Sequence, residues 1–152
     1  MQGKATIARH PIHPMLVSLP IGFFVGTFVC YLVYQVTHDV LWPTMAINLM
    51  MFGIGSALLA ALFGFVDYLT APMADRTKRT ATSHMLLNLL VVAIFATALW
   101  QGWNDHGSNV SFALTIAGVV VMAFSGWLGG HLGYIDGVGA PEGVHPPEVL
   151  RT

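Results

Sequence analysis

Four long stretches of apolar residues, separated by short polar links, dominate the chain. They run from Pro14 to Val36, Pro43 to Leu69, Thr82 to Trp103 and Val110 to His131, and none contains lysine or arginine. A helix of about 20 apolar residues crosses a hydrocarbon core, so each stretch predicts one transmembrane helix. The stretches are continuous rather than alternating, which favours helices over the strands of a membrane barrel.

The links between these stretches are too short for anything but antiparallel neighbours. They lie near His38 and Asp39, from Asp75 to Arg79, and from Asn104 to Asn109. We therefore expect an all-α integral membrane protein, an up-down four-helix transmembrane bundle that forms a single domain over residues 1–152. No soluble domain, internal repeat or low-complexity tract is evident in the sequence.

Composition supports the membrane class. The 152 residues are 55% hydrophobic and only 9% charged, whereas roughly a quarter of residues are charged in an average soluble protein. The single cysteine, Cys30, lies within an apolar stretch, so the chain cannot form an internal disulfide. The first apolar stretch is too long for a signal peptide, and no small-residue cleavage pattern follows it, which indicates a retained anchor.

The few cations are segregated to alternate links. All six lie in the N-terminal arm, in the link between the second and third stretches or in the C-terminal tail: Lys4, Arg9, Arg76, Lys78, Arg79 and Arg151. In a four-pass protein these three places share one side, and the positive-inside rule makes that side cytoplasmic. Both termini are therefore predicted to be cytoplasmic, with Trp42, Trp100 and Trp103 at the outer interface.

Metal-ligand side chains recur at the predicted cytoplasmic end. His10 and His13 precede the first helix, Asp67 falls in the last turn of the second, His84 opens the third and His131 ends the fourth. Ionisable groups at the edge of a span usually face the bundle interior, which predicts a shared site. The first and third helices of such a bundle are diagonal, so His13 and His84 can face each other.

Each of these residues also has a purely structural interpretation. A lone histidine at a membrane interface often serves as an amphipathic cap, and Asp67 can pair with Arg76 or Arg79 across a short link. Asn88, one turn beyond His84 on the same face, can supply a hydrogen bond to the site. Glycines within the spans predict close helix packing, and they would also leave room for a flat cofactor.

Two cofactor chemistries fit this set of side chains. Opposed histidines can be axial ligands of haem b, with His13 and His84 as the main pair, His10 as a rival, and Arg76 and Arg79 near the propionates. Alternatively, a transition-metal ion (zinc, copper, iron or nickel) would be held by a set of imidazoles and one carboxylate: His10, His13, Asp67, His84 and His131. A third hypothesis is an accessory structural subunit of a larger membrane complex.

Recognised catalytic and nucleic-acid-binding patterns are not found. The sequence has no GxSxG, HExxH or CxxC motif, no phosphate-binding glycine loop and no interleaving of basic and aromatic residues. We therefore expect an electron-transfer or accessory component rather than a stand-alone enzyme. The expected partners are the lipid bilayer and a redox partner or larger membrane complex, without nucleic acid; oligomerisation is left open.

Several local motifs are shared with a known family. They are His10-Pro11-Ile12-His13-Pro14, Leu19-Pro20-Ile21-Gly22, Gly64-Phe65-Val66-Asp67, the lone His84, Gly126-Trp127-Leu128-Gly129-Gly130 and Gly137-Val138-Gly139. Together they resemble the bacterial domain-of-unknown-function 2231 family of small four-helix membrane proteins, over roughly Arg9 to Ala140. The resemblance implies a multi-pass protein of the bacterial inner membrane.

The same resemblance bears on function. Some members of that family are joined to Rieske-type iron–sulfur domains, which implies a redox neighbourhood and favours haem or electron transfer over a bare ion. The family pattern also implies an acidic residue at position 131 and a histidine at position 136, where this chain carries His131 and Asp136.

Overall fold

Helices account for nearly all of the described chain, which in this computed structural model comprises residues 3–7 and 10–139. The helices are α1 (Ile12–Leu16), α2 (Ser18–Thr37), α3 (Leu41–Thr70), α4 (Asp75–Asn104) and α5 (Asn109–Gly130), and α5 continues into a π-helical turn, His131–Ile135. Two short antiparallel strands, β1 (Thr6–Ile7) and β2 (His10–Pro11), precede α1. Four helical segments are long and apolar enough to cross a membrane, as the hydropathy pattern predicts.

Proline explains why the first span is divided into α1 and α2. Pro20 has no N–H, so the carbonyl of Leu16 loses its helical partner and the hydrogen-bond ladder is interrupted there. Val17 lies at the break, where its N–H donates to the carbonyl of His13 at 3.2 Å. The break sets His13 in a short helix of its own at the end of the bundle.

The predicted link from Asp75 to Arg79 is wrong, because α4 already begins at Asp75. Lysine and arginine are good helix formers, and an acidic residue in the first turn interacts favourably with the helix dipole. The helical bond from the Lys78 N–H to the Ala74 carbonyl, 2.9 Å, belongs to this early start. His84 therefore lies in the third turn of α4, deeper along the helix than the predicted first turn.

The four spans form a closed ring. The hairpins α2–α3 and α4–α5 have the most extensive packing, and α3 against α4 and α2 against α5 complete the ring. Helices α2 and α4 therefore lie on one diagonal. The core contains the fully buried side chains of Phe24, Tyr31, Met50 and Phe95, whereas large apolar side chains cover the outside, as expected for a surface in contact with lipid.

Trp42, Trp100 and Trp103, the residues of the predicted outer belt, all lie at one end of the bundle. Trp100 and Trp103, near the end of α4, are strongly exposed. Trp42 differs, because it is partly buried and packs against the hydrophobic core. Trp42 lies in the first turn of α3 and points towards the bundle, and its location at the outer interface stays a prediction.

The two hairpins are repeats of one another, although no repeat is evident in the sequence. The spacing from His13 to Phe24 in the first hairpin equals the spacing from His84 to Phe95 in the second. A Cβ atom added at Gly53 would come within 2.5 Å of the Phe24 ring, and one at the equivalent Gly118 within 2.6 Å of the Phe95 ring. Each hairpin thus seats a phenylalanine against a glycine at the same point.

Burial follows the same repeat along both hairpins. The equivalent buried pairs are Pro20 and Val91, Phe24 and Phe95, Thr27 and Ala98, Tyr31 and Gly102, Pro43 and Ser108, Ala46 and Ser111, Met50 and Thr115, Gly53 and Gly118, and Ala60 and Ser125. Parallel repeats of this kind are related by an axis along the membrane normal. Few of these pairs are identical, which explains why sequence inspection does not reveal the repeat.

Candidate cofactor site

His13 projects from α1 against the backbone of α3. Its Nδ1 lies 2.8 Å from the carbonyl oxygen of Ala60. A carbonyl oxygen only accepts, so Nδ1 carries the proton and donates it, and the neutral ring keeps its lone pair on Nε2. A Cβ at Gly64 would lie 2.8 Å from the same Nδ1, so a glycine is needed there for the ring to lie flat against α3.

His84 repeats this arrangement in the second hairpin. Its Nδ1 lies 2.8 Å from the carbonyl oxygen of Ser125 on α5 and 3.2 Å from the Ser125 hydroxyl. A Cβ at Gly129 would lie 2.9 Å from the ring carbon Cε1 of His84. Ser125 and Gly129 are the repeat equivalents of Ala60 and Gly64. Each imidazole therefore lies against one carbonyl and one glycine of the neighbouring helix, a pair of positions that we call its seat.

Asn88 completes the contacts of His84. Its Nδ2 lies 2.9 Å from the His84 carbonyl oxygen and 3.1 Å from His84 Nε2. Because the carbonyl can only accept, the nearby amide atom is the nitrogen, and Nε2 therefore accepts the second amide hydrogen. Both nitrogens of His84 thus indicate one neutral tautomer, protonated on Nδ1.

The two imidazoles lie at the same end of the bundle, His13 on α1 at the start of the first span and His84 on α4 in the third. Both side chains are half-buried. A hydrogen bond from the distal ring N–H to a carbonyl is the usual outer-shell support for a metal-ligating histidine. His13 and His84 thus share one orientation, with Nδ1 bonded to a backbone carbonyl of the neighbouring helix and Nε2 on the other side of the ring.

The remaining predicted ligands have other surroundings. His10 is exposed on β2, paired with Ile7. Asp67 lies in the last turn of α3, as predicted, where its carboxylate accepts the Ala5 N–H at 3.0 Å and so anchors the N-terminal arm. Within the described residues, no three of the predicted ligands His10, His13, Asp67, His84 and His131 form a group that could hold a metal ion.

His131 and Asp136 form a pair of their own. His131 Nε2 lies 3.9 Å from an Asp136 carboxylate oxygen across the π-helical turn. The other Asp136 oxygen is buried without a hydrogen-bond partner. The two positions at which this chain departs from the implied family pattern therefore contact each other, so exchanging the acidic residue and the histidine keeps both side-chain types in the pair.

The predicted arginines lie beside the site rather than within it. The inward face of α4 near its start carries Thr77, Ala81 and His84, whereas Arg76 and Arg79 are exposed. No ion pair joins either arginine to Asp67 in the described part of the chain. Both guanidinium groups remain at the end of the bundle that carries the two histidines.

The site depends on four small-residue contacts that sequence reasoning did not identify. The carbonyls of Ala60 and Ser125 fix the rings, and Gly64 and Gly129 make room for them. Close packing is thus the observed role of these glycines, and the flanking Gly126 and Gly130 have no atoms within 4 Å of an added Cβ. The signal in the sequence was a small residue followed four positions later by glycine, at Ala60 and Gly64 and again at Ser125 and Gly129.

Comparison with known proteins identifies a family but no characterised relative. No curated protein and no solved structure matches the chain. Residues 9–142 match the model of a family described as "Predicted membrane protein (DUF2231)". This match covers most of the chain and agrees with the four spans of the fold. The chain belongs to the DUF2231 family of membrane proteins.

Proposed function

We propose that this chain is a membrane electron-transfer component that binds haem b between His13 and His84. The observation that carries the proposal is the matched pair of imidazoles, each with Nδ1–H bonded to a carbonyl of the neighbouring helix. Such bonds orient the ring and fix the tautomer with its lone pair on Nε2, the nitrogen that would hold the haem iron. When bound, the haem would supply one-electron redox chemistry.

The internal repeat supports haem over a bare ion. Two equivalent imidazoles related by an axis would hold a haem iron between them. A protein zinc site instead uses three or four protein ligands, and the described residues contain no group of three suitable side chains. The divalent-ion hypothesis therefore draws less support from the geometry.

We place the site on the cytoplasmic side of a bacterial inner membrane. Arg76, Lys78 and Arg79 lie in the first turns of α4, and the backbone N–H of Lys4 is bonded to Thr70 at the end of α3. These four cations share the end that carries His13 and His84, which the positive-inside rule assigns to the cytoplasm. The other two, Arg9 and Arg151, lie outside the described residues.

The exposed Arg76 and Arg79 would form a positive rim at the mouth of the site. Haem carboxylates emerging at this end would be attracted to that rim, because oppositely charged groups near a surface interact favourably. A soluble redox partner would approach from the same side. An acidic contact surface on that partner would complement the rim.

Purification in detergent from a haem-replete host tests the proposal. We expect a haem absorption band in the wild type and its loss in His13→Ala and His84→Ala, whereas His106→Ala, in the link at the opposite end, should retain it. A colourless wild type without extractable haem overturns the proposal. Stoichiometric zinc, copper or nickel without porphyrin would indicate the divalent-ion protein, and co-purifying subunits without any cofactor would indicate the accessory subunit.

The orientation has its own test. A green fluorescent protein fused to the C-terminus should fluoresce, and an alkaline phosphatase fused at the same place should be inactive, because the first matures in the cytoplasm and the second requires export. The reverse pattern would move the site to the other side of the membrane without altering its ligands.

A further inference from the structure

The two halves of the site differ in the residue that lies one helical turn beyond the histidine. The repeat that relates His13 to His84 also relates Val17 to Asn88, each one helical turn beyond its histidine. Asn88 donates to His84 Nε2 at 3.1 Å. Valine has no such donor, and within the described residues the only hydrogen bond of the His13 ring is the one from Nδ1 to Ala60.

Asn88 therefore donates a hydrogen bond to Nε2 of His84, the same atom through which His84 would bind a metal. A lone pair on Nε2 cannot accept an amide hydrogen and coordinate iron at the same time, so the two partners compete. The second hydrogen of the same amide is bonded to the His84 carbonyl oxygen at 2.9 Å. When Asn88 releases Nε2, its amide stays bonded to the His84 carbonyl on its own helix. The exchange therefore breaks only one of the two hydrogen bonds that the amide donates.

We propose that Asn88 is a positioning residue that holds the His84 ring and competes with the ligand for its Nε2. The two imidazoles are then unequal: His13 is the first to engage a ligand and His84 the second, after Asn88 has let go. The identity of the ligand rests on the proposed haem function. The competition itself rests only on the contacts of Asn88 with His84.

Titration of the apoprotein with hemin in detergent micelles tests the exchange. Asn88→Leu removes the competing donor at similar volume, and we expect about fivefold tighter binding, the factor that corresponds to one neutral hydrogen bond. The fraction of six-coordinate low-spin haem should rise with it. Val17→Asn is the matched variant, because it places a competing amide beside His13, and it should weaken binding by about the same factor.

A second measurement needs no haem. Diethyl pyrocarbonate reacts with an unprotonated imidazole nitrogen, so its reaction with His84 in the apoprotein should be about fivefold faster in Asn88→Leu. The reaction of His13, followed in the same sample by mass spectrometry, should be unchanged and reports that the fold is intact.

The outcomes separate the two proposals. An unchanged reaction rate at His84 overturns the competition. Equal hemin affinity and spin state in the wild type and Asn88→Leu also overturn it, while leaving haem binding in place. A wild type that takes up no hemin, together with faster modification of His84 in Asn88→Leu, overturns the haem function and leaves the competition for Nε2 standing.

Discussion

Phe24 and Phe95 stack at the centre of the bundle, with their ring centroids 3.8 Å apart and their planes inclined by 10°. They are repeat equivalents from diagonal helices, and both are fully buried. The pair lies about three helical turns from His13 and His84. The two halves of the molecule therefore contact each other through equivalent aromatic rings in the middle, and each carries an equivalent imidazole at the same end.

The aromatic stack should be strongly coupled. Residues in direct contact show coupling energies of about 0.5–3 kcal/mol, so a double-mutant cycle with Phe24→Leu and Phe95→Leu should give a coupling of about 1 kcal/mol. Phe23 and Phe52 provide the control, because their rings are tilted at 5.9 Å and Phe52 is largely exposed. Unfolding in mixed detergent micelles measures both cycles; equal coupling in the two pairs would contradict a central role for the stack.

Truncation of either central ring should destabilise the bundle less than in a soluble core. Phe→Ala substitutions in soluble cores cost about 3–5 kcal/mol. Lipid is as apolar as the bundle interior, so most of the transfer contribution is absent and the cavity remains. We therefore expect a loss of about 2–3 kcal/mol for Phe24→Ala or Phe95→Ala, measured by the same unfolding assay, and almost none for the lipid-exposed Phe124→Ala.

The glycine seats should tolerate no side chain. Gly64→Ala or Gly129→Ala places a Cβ within 3 Å of an imidazole ring, and such overpacking costs about 1–3 kcal/mol. Gly126→Ala is the matched control, because nothing lies within 4 Å of its added Cβ and alanine favours helix by about 1 kcal/mol. Opposite signs of the change in unfolding free energy are therefore expected. If the haem proposal holds, only the two seat variants should also weaken hemin binding.

The buried hydroxyl groups of Tyr31 and Ser111, far from His13 and His84, should contribute unequally to stability when each is removed. Ser111 Oγ lies 2.8 Å from the Ala98 carbonyl and 2.7 Å from the Tyr31 hydroxyl. The serine proton goes to the carbonyl, so the tyrosine donates to the serine. Tyr31→Phe should cost about 1 kcal/mol, whereas Ser111→Ala strands a buried hydroxyl and should cost about 2 kcal/mol. Equal losses, or an additive double variant, would contradict this assignment.

The N-terminal arm should be released when its anchor on α3 is removed. Asp67 accepts the Ala5 N–H, and Thr70 accepts the Lys4 N–H at 3.0 Å. Losing the charge-assisted bond in Asp67→Ala should speed tryptic cleavage after Lys4 by about tenfold. Asp67→Asn keeps an acceptor oxygen and should change the rate much less. Cleavage rates that are identical in the wild type and Asp67→Ala would show that the arm is held by other contacts.

The location of the helices was predictable, and their boundaries were less so. Lipid selects for length and apolarity along the chain, which is why the four spans were correct. The start of α4 at Asp75 was missed because charged residues at a membrane edge look like a link although they are good helix formers. The break at Val17 depends on the missing N–H of Pro20, a detail that hydropathy does not record.

The candidate site was only partly predictable. His13 and His84 could be proposed as a diagonal pair because the order of helices in an up-down bundle fixes which helices are opposite. The direction of each ring could not, because it depends on backbone carbonyls of Ala60 and Ser125 that are distant in sequence. Asp67 and His131 shared the predicted end of the bundle, but Asp67 contacts the N-terminal arm and His131 contacts Asp136.

The sequence by itself determined the membrane class, the four spans and the end of the bundle that carries His13 and His84, because transfer into lipid depends on composition along the chain. The tertiary structure decided the rotation of each helix about its axis, and with it the internal repeat, the seats of His13 and His84 and the contact of Asn88. That rotation follows from fitting large side chains against small ones on neighbouring helices. Such a fit exists only once residues far apart in the chain have been brought together.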